Sequence, residues 1–353
     1  MRTPRIDIDI RKIAFNTKQL KKIYGAKGIQ IIGVTKLVQG NPVIASVLVD
    51  NGIEILADSR IENIIRMIKG GVQAEYLLLR TPSLSQVEEI VTYANISLNS
   101  ELSILRELSK YALIRRITHK VILMLELGDL REGIMPLDID STVKEVLDLK
   151  GIDFIGIGSN FACYGGISPD IDKMNELSSI AIRLEKKFKI TLTIISGGNS
   201  ANYNWFKSSK SIGRINNLRL GESIFLGRES LCREKIPTLF TDAFTLVAEI
   251  IETKIKPSKP YGKVYKNANG QIEKFKDMGL INRGILAIGR QDVPVLGIIP
   301  RENILILGAS SDHIVIDNTK SNLKVGDTIE FSLRYMALLR ALNSSYITKN
   351  III

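Results

Sequence analysis

Between residue 28 and about residue 226 the chain alternates short, continuously apolar runs with longer stretches whose apolar positions recur every three or four residues. The runs are GIQIIGVTK, IEILADSR, AEYLLLRTP, ISLNS, HKVILMLELG, IDFIGIGSN, TLTIISGG and the start of NNLRLGESIFLG. Between them lie NPVIASVLVDNG, IENIIRMIKGG, LSQVEEIVTYA, ELSILRELSKYA, STVKEVLDLKG and DIDKMNELSSIAIRLEKKF. In the last of these Ile171, Met174, Leu177, Ala181, Leu184 and Phe188 share one face at the helical period. Runs apolar on both faces are the mark of buried parallel strands. Strict alternation of strand and helix predicts parallel strands joined by right-handed crossovers. Eight such units predict an α/β protein built on a (β/α)8 TIM barrel, with a doubly wound open sheet as the alternative.

After about residue 235 the texture changes. FTLVAEIIETKIK, GILAIGR, ILILGASSDHIVID and LKVGDTIEFSL read as strands separated by Gly, Asp and Asn turns, with no helical period until near the end. The expected organisation is a barrel over 11–235 and a C-terminal β-rich domain over 236–353, joined by an N-terminal strand, 1–10, in which RIDIDI alternates cleanly. KPSKPYGKVYKNANGQ combines Pro, Gly and Lys and predicts an exposed loop.

Composition narrows the picture only a little. The 353 residues are 45% hydrophobic and 24% charged, enough apolar material for a sizeable core. The net charge of +11 invites nucleic acid, but the basic residues are interleaved with 37 acids and form no tail. A basic soluble protein, without nucleic-acid or membrane partners, is the expectation. An anionic ligand also suits the charge. Two cysteines, Cys163 and Cys232, make no disulfide framework, MRTPRIDIDIRK lacks a signal-peptide core, and no apolar run reaches membrane-span length. A cytoplasmic location is expected.

In an eight-stranded barrel the chemistry sits at the C-terminal ends of the strands. In chain order those ends carry Lys36; Asp58, Ser59 and Arg60; Arg80; Asn99 and Ser100; Asp129 and Arg131; Ser159 and Asn160; the SGGNS segment with Ser196, Asn199 and Ser200; and Arg219, Gly221 and Glu222. The rim is rich in Lys, Arg and Asn. Its Gly-rich loops after the seventh and eighth strands lie where barrels bind phosphate through backbone N–H groups. Lys36 closes an apolar run, either as the point where a strand meets water or as an amine poised to form a Schiff base. Lysine, phosphate loop and barrel together suggest pyridoxal phosphate.

The ordered set VTK, ADSRIEN, LNSEL, GDLREG, FACYGG, SGGNSAN, NLRLGESIFLGRE, AIGRQD, LGASSDH and YMALLRAL resembles the alanine racemase-like (fold type III) pyridoxal-phosphate enzymes, and most closely their ornithine racemase branch. The resemblance runs nearly end to end. It implies a racemase that interconverts L- and D-amino acids by moving the α-proton, acting on ornithine or a related basic amino acid. An alanine or broad-specificity racemase, or a non-catalytic cofactor carrier, are the alternatives. It implies that Lys36 holds the cofactor and moves a proton on one face, that Arg131 lies near the phenolic oxygen, that Ser200, Gly221 and Glu222 hold the phosphate, and that Arg219 faces the pyridine nitrogen. Asn160 stands where alanine racemases carry a histidine. It also implies a homodimer with the active site at the subunit interface, and no metal.

The sequence departs from the pattern at three places. Gly40 replaces a tyrosine after the lysine, Arg290 replaces the second catalytic tyrosine, and Met124 replaces a lysine that is carbamylated in relatives. Racemisation still needs an acid on the face opposite Lys36. His313, Cys163 and Tyr335 are the candidates, with Tyr164 behind them. His119, at the start of the fifth strand and far from the rim, reads as structural. Asp292 and Asp312 are candidates to hold the distal amine of a cationic substrate.

Overall fold

The computed structural model describes residues 2–266, 270 and 275–353. They form two compact units, residues 12–241 and residues 1–11 together with 242–353. The chain opens on strand β1 (Arg5–Asp9), followed by the barrel strands β2 (Gln30–Val34), β3 (Ile55–Asp58), β4 (Glu75–Leu78), β5 (Ile96–Asn99), β6 (His119–Leu125), β7 (Ile152–Ser159), β8 (Ile194–Ser196) and β9 (Asn217–Leu220). These eight are parallel neighbours, and β9 pairs back with β2 to close the barrel. The open-sheet alternative is thereby excluded. Ile32, Val34, Ile55, Ala57, Leu77, Ile96, Leu98, Ile122 and Met124 form one buried cluster contributed by five of the strands. Met124 is therefore a core side chain.

Local chemistry sets the helix ends. The helix Pro42–Asp50 starts at Asn41, whose side chain accepts from the N–H groups of Val43 and Ile44, with proline in the first turn. The helix Ile171–Phe188 is capped by Asp170, which accepts from Lys173 N at 3.0 Å. Its buried stripe runs Met174, Leu177, Ser178, Ile180, Ala181, Leu184, while Ile171, in the first turn, is exposed. A further helix, Ile10–Gly25, is not announced by the strand–helix alternation that begins at residue 28. Two of its five buried residues are polar, Asn16 and Thr17, which breaks the apolar stripe. Asn16 is there to bond Ile224 O, Phe240 O and Phe240 N.

Lys36 is a correction to the pattern. The strand ends at Val34, and Lys36 opens a single 3-10 turn, Lys36–Val38, with its side chain exposed. Thr35 before it and Leu37 and Val38 after it are buried, and the lysine between them stands exposed at the end of the strand. The turn leaves through Gln39 and Gly40, both at positive φ. A Cβ on Gly40 would lie 2.6 Å from Asn63 O, so no side chain fits there, tyrosine included.

The second unit continues with β10 (Phe244–Pro257), β11 (Leu280–Leu286), β12 (Ile298–Pro300), β13 (Leu305–Ala309), β14 (Ile314–Asp317), β15 (Thr328–Leu333) and β16 (Thr348–Ile352), plus a helix, Tyr335–Asn343. The sheet order is β12-β15-β10-β11-β14-β13, all antiparallel. β1 adds to it, antiparallel to β10 and parallel to β16. The segment read as an exposed loop is exposed over residues 259–266; its residues 267–269 and 271 lie outside the described residues. Among the described residues no helix is long and apolar enough to cross a membrane.

Candidate active site at the barrel mouth

The site is built outward from Arg219 on β9. Its guanidinium is buried inside the barrel and donates from Nη2 to Ser159 O at 2.8 Å and to Asn160 Oδ1 at 2.9 Å, and from Nη1 to Ser196 Oγ. Burial pushes the Arg219 pKa down to about 10, against the nearby Cys163 and Glu132, which raise it, and Arg131, which lowers it.

Asn160 lies one residue beyond β7. While its Oδ1 accepts from Arg219, its Nδ2 donates to Glu132 Oε1 at 2.8 Å. Glu132 in turn takes Arg131, Nη2 to Oε1 at 2.6 Å and also Nε to Oε2. Burial pulls Arg131 down, but the hydrogen bond from Glu132 and the charges of Cys163, Glu132 and Asp129 outweigh it, and its pKa is raised. Glu132 was not singled out from sequence although it stands inside GDLREG. A charged residue next to a predicted site arginine was the available signal.

The loop after β7 is held by Asp129, buried, which accepts the N–H groups of Cys163, Tyr164 and Gly165 at 3.2, 3.0 and 3.1 Å. The Cys163 thiol is exposed, donates to Phe161 O at 3.3 Å and lies 3.5 Å from Asn199 Nδ2. Tyr164 is exposed. Asn199 caps the turn Ser200–Asn202 by accepting Ala201 N at 2.8 Å, and its Nδ2 holds Phe161 O.

Ser200 is buried against Ser223: Ser223 N donates to Ser200 Oγ at 3.1 Å, and the two hydroxyls are 3.0 Å apart. Gly221 begins the helix Glu222–Leu226, and a Cβ on it would press on Val34 at 3.3 Å. The first N–H groups of that helix lack intrahelical acceptors. Glu222 turns its carboxylate to Ser230 Oγ at 3.0 Å, and burial raises its pKa. Ser196 is committed within the barrel, since it also donates to Asn217 Oδ1 at 2.7 Å. Asn217, buried beneath Arg219, was not foreseen, because a polar residue inside an apolar strand gives no direction in sequence.

Of the other rim residues, Asn99 donates to Ser97 O and Ser97 Oγ, and Ser97 Oγ pairs with His119 Nε2 at 2.8 Å, within the body of the barrel wall. His313, Tyr335, Asp292 and Asp312 belong to the second unit. His313 is exposed in the turn between β13 and β14, not in a strand. Tyr335 is the first residue of its helix. Asp292 is buried and accepts Ser344 Oγ at 2.6 Å; Asp312 is exposed and accepts Gln291 Nε2 and Ser311 Oγ. Among the described residues no group of three or more His, Cys, Asp and Glu is placed to hold a metal ion.

The donor set of the barrel mouth fits a phosphorylated, carbonyl-bearing cofactor. It offers an exposed amine, a buried guanidinium pinned by three acceptors, a serine and a glycine-started helix.

Comparison with known proteins agrees. Residues 8–229 match the family described as alanine racemase, N-terminal domain. The chain is 40% identical to the ornithine racemase of Acetoanaerobium sticklandii over 353 residues, covering 99% of each. It is 37% identical to the lysine racemase of Thermotoga maritima over 348 residues, covering 98% of each. Among solved structures it resembles the alanine racemase of Bartonella henselae with covalently bound pyridoxal phosphate, at a TM-score of 0.76 and 17% identity over all of both chains.

Proposed function

The chain belongs to the alanine racemase family, and on that premise we propose that it is a pyridoxal phosphate-dependent racemase of basic amino acids, with ornithine or lysine as substrate. The observation that carries this reading is the end-to-end likeness to an ornithine and a lysine racemase, joined to the cationic barrel mouth around Lys36 and Arg219.

Bound pyridoxal phosphate supplies the electron sink that acidifies the α-proton of an attached amino acid. Lys36 offers its amine at the mouth to hold the cofactor and to move the proton on one face. Arg219, already charged, would present a donor to the pyridine nitrogen and so disfavour its protonation, which would limit side reactions. Arg131 would lie near the phenolic oxygen. Ser200 Oγ and the N–H groups of Gly221 and Glu222 would hold the phosphate. Inversion needs a second proton-carrying group on the opposite face. Cys163 takes that role in this reading, because its thiol is exposed on the rim, on the loop that Asp129 holds and 3.5 Å from Asn199 Nδ2. His313 and Tyr335, on the second unit, are the competing groups. The resemblance also carries a homodimer and a cytoplasmic location, and sedimentation of the purified protein tests the first.

The experiment is α-proton exchange in heavy water, with the cofactor-loaded protein and separate L-ornithine, L-lysine, L-arginine, L-alanine and L-serine, followed by NMR and chiral chromatography. Exchange with formation of the D-enantiomer is expected for ornithine or lysine first. Equal rates on alanine would give a broad-specificity racemase, and bound cofactor without exchange on any amino acid a carrier.

A further inference from the structure

We propose that Glu132 is the positioning residue that holds the two arginines of the cofactor site in register, acting through Asn160. The proposal rests on the functional reading above only for the identity of the cofactor. The hydrogen-bonded chain itself is a property of the barrel.

The chain runs unbroken through six side chains. Arg131 donates to Glu132, Asn160 Nδ2 donates to Glu132, Arg219 donates to Asn160 Oδ1 and to Ser196 Oγ, and Ser196 donates to Asn217 Oδ1. Each direction follows from what its neighbours can do. An ionised carboxylate only accepts and a guanidinium only donates. Asn160, placed between one of each, has a single satisfying orientation: amide nitrogen to Glu132, oxygen to Arg219. It turns an acceptor on the rim into an acceptor for the buried arginine. At the inner end the hydroxyl of Ser196 accepts from Arg219 and has one hydrogen left, which Asn217 takes.

Glu132 is singled out by charge. The mouth brings Arg131 and Arg219 together, with the Cys163 thiol alongside. Asp129 and Glu126 are further carboxylates near Arg131, and each is occupied by three backbone N–H groups, Asp129 by those of residues 163–165 and Glu126 by those of Gly128, Leu130 and Arg131. Glu132 is the carboxylate in contact with a guanidinium there. Replacing it with glutamine leaves the size unchanged. It removes the negative charge and gives Asn160 a neighbour that can donate as well as accept, so the amide is no longer held one way round. Arg219 then loses a fixed acceptor, and the mouth becomes more positive by one unit.

The test uses the full-length protein with and without pyridoxal phosphate. Without cofactor, the arginine side-chain NMR signals of the 15N-arginine-labelled protein are compared in wild type, Glu132→Gln and Glu132→Asp. Glu132→Gln is expected to move the signals of Arg219 as well as those of Arg131, and movement of Arg131 alone would overturn the chain. With cofactor, the pH at which the absorbance of the Lys36-bound cofactor changes is expected to fall by about one unit in Glu132→Gln, because added positive charge disfavours the protonated form. Glu132→Asp, which keeps the charge, is expected to recover at least half of that shift. An unchanged midpoint in Glu132→Gln, with normal cofactor uptake, would refute the positioning role. A wild type that takes up no pyridoxal phosphate would refute the functional reading instead, and the cofactor-free spectra would still decide the chain.

Discussion

Thr35 donates from Oγ1 to Asp58 Oδ2 at 2.8 Å, with both side chains fully buried, one residue before Lys36. Asp58 also accepts Arg60 N and Asn63 Nδ2, each at 3.0 Å, so the carboxylate ties the first two strand ends of the barrel together beneath the lysine. Thr35→Val keeps the shape and removes the donor. Stability is expected to fall by about 1–3 kcal/mol, as for a buried partner left unsatisfied. Because Asp58 has other donors, the loss should sit near the lower end. The lysine turn loosens too, so kcat is expected to drop about tenfold while cofactor uptake persists. Urea unfolding and steady-state kinetics check both.

Lys36→Ala removes the amine that reaches the mouth. The absorbance of covalently held cofactor should disappear, and racemisation should fall by about three orders of magnitude or more, in line with loss of a covalent catalyst and a proton carrier together. Retained absorbance and activity would reject Lys36 as the attachment point. The phosphate contacts proposed for Ser200 and Gly221 would not depend on the amine, so dialysis should still detect weak, reversible pyridoxal phosphate binding.

Gly40 predicts its own intolerance. Its φ of +57° is left-handed, and a Cβ there would collide with Asn63 O. Gly40→Ala is expected to destabilise the protein by about 1–3 kcal/mol from backbone strain and collision, measured by denaturant unfolding. Restoring the tyrosine of relatives at this position should therefore cost stability instead of improving activity.

The barrel was legible in sequence because most of its strands are continuously apolar and the helices between them carry an apolar stripe, so the period changes at nearly every element boundary. The rim was legible for the same reason: once strand ends are placed, Arg131, Asn160 and Arg219 fall on it. What stayed hidden depends on side-chain direction. Ser196 and Asn199 sit in the same Gly-rich segment, yet Ser196 faces Arg219 inside the barrel and Asn199 caps a turn. Glu132, within GDLREG, and Asn217, within an apolar run, carry no sign in the sequence of the direction their side chains take. The helix Ile10–Gly25 was obscured because Asn16 spends its buried position on backbone groups far along the chain. His313 looked like a strand residue because the turn that carries it, Ser310–His313, is bracketed closely by β13 and β14.

Cys163 can be separated from its competitors by the symmetry of exchange. If its thiol serves one face and Lys36 the other, Cys163→Ala should block racemisation. It should retain solvent exchange of the α-proton for the enantiomer whose proton faces Lys36, and lose it for the other. A drop of about a hundredfold or more on one side only is expected, within the usual range for a general acid–base group. Parallel exchange measurements on D- and L-ornithine in heavy water read this directly. Equal loss for both enantiomers, or no loss, would pass the role to His313 or Tyr335.

His119 sets the acid limit of the fold. It is 1% exposed and bonded to Ser97 Oγ, and burial lowers its pKa from the ordinary 6.5 to about 4. Below pH 6.5 the unfolded chain takes up a proton that the folded chain refuses until about pH 4. The unfolded state therefore binds more protons throughout that window, and stability must fall as the pH falls. The contribution of this one residue reaches about 3 kcal/mol at the bottom of the window and vanishes above pH 6.5. His119→Gln can still hydrogen-bond Ser97 but does not titrate. Its unfolding free energy, measured in urea at steps from pH 7.5 to 4, should lose about that much of the acid-side decline. An identical pH profile in wild type and variant would show that His119 is protonated in the folded barrel.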